Sequence, residues 1–338
     1  MTAPIRPHVF RTIESHTAGN PTRTVLSGVP ALEGDTMLER MHDLAARYDW
    51  IRTSLMYEPR GHSVMSGCLV LEPCDPRADV GVLYIEASGH LPMCGHDTIG
   101  LVTVLLQHGV LPVVEPVTNV VLDTPAGLVE TAAEWKDGRV TEVSFVSTPS
   151  FLYARDVPVE LPGAGTVTVD IAWGGNFYAI VDADSVGLDL TEPRVGKRIL
   201  LAETLRDVIN ETVDVVHPTL DGIHGVTHVQ FIGPPRRADA TNLCSVVIRP
   251  GGADRSPCGT GTAARTAALV ARGRLRMGEP LVHESITGET FTSVPVEKVQ
   301  VGAFDGVRSR ITGRAYVTGT AEWTIDPHDP LRAGFLFT

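Results

Sequence analysis

Apolar and polar positions follow two periods along the chain. VGVLYIEA (80–87), TNVVLDT (118–124), GTVTVDIAW (165–173) and RAYVTGTAEW (314–323) alternate or stay apolar, as β-strands do. Met37 to about Arg47 instead carries the helical period. Thr36 in front of it and Glu39 in its first turn form a capping box. Two further stretches, IGLVTVLLQHG and AARTAALVARG, are apolar on nearly every side, which predicts buried helices. Each closes on a glycine, Gly109 and Gly273, where a helix C-cap is expected.

These two helices begin alike. Cys94-Gly95-His96-Asp97-Thr98 opens the first and Cys258-Gly259-Thr260-Gly261-Thr262 the second, both C-G-x-x-T and 164 residues apart. Other pairs keep a similar spacing and the same order. Gly19-Asn20 matches Gly175-Asn176. Glu39, Met41, Asp43 and Leu44 match Glu203, Leu205, Asp207 and Val208. Thr-Pro-Ala-Gly127 resembles Ser-Ile-Thr-Gly288. One such match is noise, but several in order predict two copies of one α/β unit. Pro and Gly clusters at 147–165 place the boundary, giving lobes 1–150 and 151–321, with 322–338 free to return to the first lobe.

Composition narrows the class of protein. A chain of 338 residues is longer than one hydrophobic core usually supports, and 43% hydrophobic residues suffice for two. A net charge of −12 argues against nucleic acid or an anionic membrane surface as partner. MTAPIRPHVF lacks the apolar run of a signal peptide, so a cytoplasmic protein is expected. Five cysteines in a long chain make a disulfide framework an unattractive reading. Cys68, Cys74 and Cys244 read as small buried hydrophobes.

Cys94 and Cys258 read differently. Each stands beside glycine in front of a helix, where free N–H groups and the helix dipole favour a thiolate or a bound carboxylate. Two thiols acting on opposite faces of one carbon suit racemisation or epimerisation, one removing a proton and the other returning one. Three rivals stand against this. Cys68, Cys74, Cys94 and His96 could supply a zinc site, though C-x5-C and C-x-H lack the usual paired spacing. A redox thiol protein would be expected to carry C-x-x-C. A phosphate-binding module could use GTGT, but the full P-loop pattern is absent.

LPMCGHDTIG and ADRSPCGTGTAART resemble the two catalytic signatures of the proline racemase family, and IESHTAGNPTRTV and VDIAWGGNFY resemble further family segments. The resemblance covers nearly the whole chain, with Asn20 where Glu is frequent. It implies an α/β (α+β) architecture of the diaminopimelate epimerase-like fold. Two pseudo-symmetric lobes, each a curved sheet around a central helix, would hold the active site in the cleft between them. It implies an isomerase acting on a small imino acid, without pyridoxal phosphate or metal. Cys94 and Cys258 would be the two acid/base residues. The backbone N–H groups of Gly95, His96, Gly259 and Thr260 would hold the substrate carboxylate. Asp254, with His96 beside it, would meet the ring ammonium. The presence of Cys258 disfavours the dehydratases of the family, and C-G-H-D disfavours diaminopimelate as substrate. Ser66 and His228, 162 residues apart, are expected near the ring carbons. The His228 segment resembles that of the 4-hydroxyproline 2-epimerases, which makes 4-hydroxyproline the expected substrate and proline the alternative. The resemblance also allows a homodimer, which no sequence feature specifies.

Overall fold

The computed structural model describes residues 7–162, 165–248 and 251–337. The chain divides into two compact units. One runs to Ser144 and resumes at Arg314; the other is Phe145–Gly313.

The first unit begins with β1 (His8–Thr17) and β2 (Asn20–Ser27), then α1 (Met37–Arg47) and α2 (Asp49–Met56). Thr36 and Glu39 close the capping box in front of α1. β3 (Ser66–Leu71), β4 (Val80–Glu86) and β5 (Gly89–Leu91) lead into α3 (Gly95–Gln107), and β6 (Val117–Thr124), β7 (Gly127–Lys136) and β8 (Arg139–Val146) follow. β2 pairs parallel with β3 and β4 parallel with β6; β1–β2, β3–β4, β4–β5 and β6–β7 are antiparallel.

The second unit repeats this order. It comprises β9 (Ser150–Leu161), β10 (Gly165–Trp173), β11 (Phe177–Asp182), α4 (Gly196–Thr212), β12 (His228–Gly233), β13 (Asn242–Ile248) and β14 (Gly252–Ala253). α5 (Gly259–Ala271) follows, then β15 (Leu281–Glu284), β16 (Thr290–Val301) and β17 (Phe304–Gly313). β11–β12 and β13–β15 are its parallel pairs, as β2–β3 and β4–β6 are in the first unit. The last strand, β18 (Ala315–Ile325), belongs to the first unit and pairs antiparallel with β1, as β9 pairs with β10.

Each unit holds one largely buried, mostly apolar helix against one face of its sheet and a further helical layer against the other. α3 packs on β1, β2, β3, β7 and β18, and α5 on β9, β10, β11, β16 and β17. Ile99, Leu101, Val102, Val104, Leu105 and Leu106 are buried, which accounts for a helix without a polar face. On the opposite layer α1 and α2 bury Met37, Leu44, Ile51 and Leu55, and α4 buries Ala202, Leu205 and Ile209. Both central helices end on left-handed glycines, Gly109 at φ 65° and Gly273 at φ 68°. Among the described residues no helix is long and apolar enough to cross a membrane.

Candidate active site

The cysteines stand at the N-caps of the two central helices, Cys94 on α3 and Cys258 on α5. The threonine of each C-G-x-x-T anchors the first turn. Thr98 Oγ1 donates to the Cys94 carbonyl at 2.8 Å and lies 2.7 Å from Tyr84 Oη on β4. Thr262 Oγ1 lies 2.9 Å from His283 Nδ1 on β15 and reaches the Pro257 carbonyl. The turns between the first two strands of each repeat complete the setting. Asn20 Nδ2 lies 3.1 Å from His96 Nε2. Gly174 packs so closely on α5 that a Cβ there would collide with the Thr260 carbonyl oxygen, so the turn must be built from glycine.

In the first unit Cys94 Sγ lies 3.3 Å from His96 Nδ1 and 3.8 Å from Glu86 Oε1. His96 Nε2 is 3.7 Å from Asp97 Oδ1, and all four residues are buried. The Cys94 thiol is pushed far up, first by burial, then by the charges of Asp97 and Glu86. Ser66 is the first residue of β3 and donates its hydroxyl to Asp97 Oδ2.

The second unit surrounds its sulfur with hydroxyls instead. Tyr178 Oη on β11 is 3.2 Å from Cys258 Sγ and 2.6 Å from Thr260 Oγ1, and Thr260 Oγ1 is 3.8 Å from the sulfur. Burial raises the Cys258 thiol to about 12, the charge of Asp254 adding to the rise while Tyr178, the Gly261 amide and Thr260 oppose it. Asp254 is buried, and its Oδ1 accepts the Ser256 N–H at 2.7 Å. Cys258 itself holds φ 63° and ψ 115°, a strained conformation for a residue with a side chain. The strain is fixed on both sides. Its N–H donates to Ser256 Oγ at 3.0 Å and its carbonyl accepts the Thr262 N–H at 2.8 Å.

His228 is the first residue of β12, the place Ser66 holds in β3. Ser66 pairs in register with Thr22, and His228 with Tyr178. The His228 ring lies 4.8 Å from the Tyr178 ring, and burial followed by the Arg206 charge pushes its pKa well down. Its Nδ1 is 2.7 Å from Thr227 Oγ1.

The expected residues thus fall into two groups within their own units: Cys94, Gly95, His96 and Ser66 in the first, and Cys258, Gly259, Thr260, Asp254 and His228 in the second. Glu86, Asp97 and Tyr178 also stand at these sulfurs and were not anticipated. Glu86 ends β4, eight residues before Cys94, whereas Tyr178 comes from β11, 80 residues before Cys258. Only the repeated turn before Tyr178, Gly175-Asn176, could have marked it. The zinc set considered from sequence does not converge. Cys68 Sγ faces the Asp97 carbonyl, and Cys74 Sγ lies 3.7 Å from Met37 Sδ. Donor atoms of Glu86, Cys94, His96 and Asp97 do lie within 4.8 Å of one another and are the set that could hold a cation. All five cysteines are free thiols.

A buried cysteine at the N-cap position of the central helix in each of two repeated α/β units suits an isomerase that moves protons at carbon. The chain belongs to the proline racemase family, whose model matches residues 12–336. It is 49% identical over 328 residues to a 4-hydroxyproline 2-epimerase of Streptosporangium roseum, covering 97% of this chain and 98% of that one. It is 45% identical over 327 residues to a proline racemase of Clostridioides difficile, covering 97% and 98%. In structure it is similar to a hydroxyproline epimerase from Agrobacterium vitis with bound trans-4-hydroxy-L-proline. There the TM-score is 0.90 at 33% identity, covering 98% of this chain and 96% of that one.

Proposed function

We propose that the protein is a 4-hydroxyproline 2-epimerase, interconverting trans-4-hydroxy-L-proline and cis-4-hydroxy-D-proline. His228 carries the choice of substrate. It sets an uncharged imidazole against the tyrosine whose hydroxyl reaches Cys258. Thr227 engages the imidazole Nδ1, so against an unsubstituted ring it is Nε2 that would lack a partner, at about 1–3 kcal/mol where water is excluded. A ring hydroxyl satisfies it, and a site built to bond a hydroxyl rejects the analogue without one. The epimerase relatives support this reading. The 45% identical proline racemase supports the alternative, proline as substrate for the same chemistry.

In this reading Cys94 and Cys258 are the two acid/base groups. One sulfur, as thiolate, takes the Cα proton. The C–H electron pair passes into the substrate carboxylate as an enediolate, and the other sulfur, as thiol, gives its proton to the opposite face of the carbon. Proton exchange with water then resets the pair. The N–H groups of Gly95, His96, Gly259 and Thr260 at the two helix N-termini hold the carboxylate where charge develops. Asp254 accepts from the ring ammonium. That ammonium matters for the thiols too, because burial and nearby carboxylates hold both of them up. Ser66 acts through Asp97, which it orients.

The test is kcat/KM for trans-4-hydroxy-L-proline against L-proline. Hydroxyproline should be preferred. His228→Phe should lower kcat/KM for hydroxyproline at least about tenfold, the equivalent of about 1.4 kcal/mol. Faster turnover of L-proline by the unaltered protein would overturn the assignment in favour of proline racemase.

A further inference from the structure

The two sulfurs differ in what surrounds them. Cys94 has an imidazole and carboxylates close by, as described. Cys258 has a buried phenol. Tyr178 is 0% exposed, and its hydroxyl stands between Cys258 Sγ at 3.2 Å and Thr260 Oγ1 at 2.6 Å. The Gly261 amide and, at 3.8 Å, the Thr260 hydroxyl also address this sulfur, and the other titratable groups facing it are Asp254 in the segment before α5 and Cys244 on β13, with His228 on β12 behind the tyrosine ring. None of them is a hydrogen-bond donor as well placed as Tyr178.

We propose that Tyr178 is a positioning residue for Cys258, its hydroxyl held by Thr260 so that it donates to the sulfur whenever Cys258 is a thiolate. The proposal rests on the reading of Cys258 as an acid/base group. A phenol has one proton. If Thr260 donates to Tyr178 Oη, the phenol proton is left for the sulfur, and the two hydroxyls form a chain that polarises toward it. The alternative orientation, Tyr178 donating to Thr260, leaves a buried thiolate without that donor. Burial keeps the phenol protonated, so it gives a hydrogen bond and not a proton. When Cys258 acts as acid, charge grows on sulfur as its proton leaves for carbon. The donor is in place before the charge appears, which is what transition-state stabilisation requires.

Packing fixes the geometry. A Cβ on Gly261 would lie 3.1 Å from Tyr178 Cε1, 3.0 Å from Gln230 Nε2 and 3.3 Å from Cys258 Cβ. The glycine of the first helical turn therefore lets the phenol ring, the Gln230 amide and the cysteine meet. At the equivalent place the first unit has Asp97, and its nearby tyrosine, Tyr84, bonds the Thr98 hydroxyl rather than the Cys94 sulfur.

The experiment reads ionisation as well as rate. Tyr178→Phe should lower kcat/KM about tenfold and move a limb of its pH profile up by about one unit, since tenfold in an ionisation constant is one pH unit. In the Cys94→Ala background, the difference in thiolate ultraviolet absorbance between proteins with and without Cys258 titrates that thiol without any turnover. Its midpoint should rise by a similar amount on Tyr178→Phe. A ring-fluorinated tyrosine at 178 keeps the shape but is a stronger donor and should move the midpoint down. That arm decides the matter if Tyr178→Phe does not fold. A folded Tyr178→Phe protein with unchanged midpoint and limbs would overturn the proposal, whether or not its activity falls. So would a fluorotyrosine protein with an unchanged midpoint. Because the titration needs no substrate, its result is independent of which imino acid is turned over.

Discussion

At the scale of single residues, the second cysteine is a candidate functional position where local rules are broken. Cys258 adopts a positive φ that glycine takes freely and a side chain resists. Strain of this kind costs about 1–3 kcal/mol and persists where surrounding contacts over-determine it. The contacts here are the Ser256 hydroxyl and the first turn of α5. Replacing an ordinary residue by glycine usually destabilises more than replacing it by alanine. At 258 the order should reverse. Both substitutions delete the sulfur, but Cys258→Gly should be more stable than Cys258→Ala by about 1 kcal/mol, read from urea unfolding midpoints. Cys94, at φ −135°, should show no such reversal. Equal behaviour of the two sites would mean that Cys258 is not strained. Nothing in the sequence separates them, because C-G-x-x-T is common to both and the difference lies in the backbone before the helix.

At the scale of elements, each central helix is tied to its sheet through the repeated threonine, to Tyr84 in one unit and His283 in the other. The His283 tie gives the fold a pH dependence with a definite sign. His283 is fully buried, and burial, then the Arg265 charge, pushes its pKa down to about 3. The unfolded chain takes up a proton below its ordinary value of 6.5, which the folded protein refuses. Stability from this residue is therefore whole above that value and declines as pH falls from it toward the folded value. The decline is at most about 1.4 kcal/mol per pH unit. His283→Asn should flatten the loss of unfolding free energy between pH 7 and pH 5 by up to about 2 kcal/mol. An unchanged slope would show that His283 takes up its proton in the folded protein as readily as in the unfolded chain. The elements themselves were largely legible. α1 has the expected bounds because Thr36 and Glu39 cap it, and α3 and α5 run from cysteine to glycine because both ends carry local signals. The partners of the sulfurs were not. Tyr178 reaches its cysteine across 80 residues through strand pairing, and no local pattern encodes which strand will lie beside a helix start; Glu86, only eight residues before Cys94, is brought back by the β4–β5 hairpin.

At the scale of the whole molecule, the sequence repeat is a structural repeat. β1 to β8 and β9 to β17 follow one order, with the same parallel pairs and a buried helix at the same place. The extra strand at the start of the second unit has its counterpart in β18, supplied from the far end of the chain. Duplication places one cysteine at the N-cap position of a buried helix in each unit. Divergence then gave them unlike neighbours, carboxylates and imidazole around one, hydroxyls around the other. The central claim is that each thiol serves one face of the substrate carbon, and a single turnover in heavy water tests it most directly. A protonated thiol in deuterated solvent carries deuterium, so product formed early should be labelled at Cα while unreacted substrate stays unlabelled. Equal early labelling of substrate and product would mean that one base serves both faces, and would contradict the account.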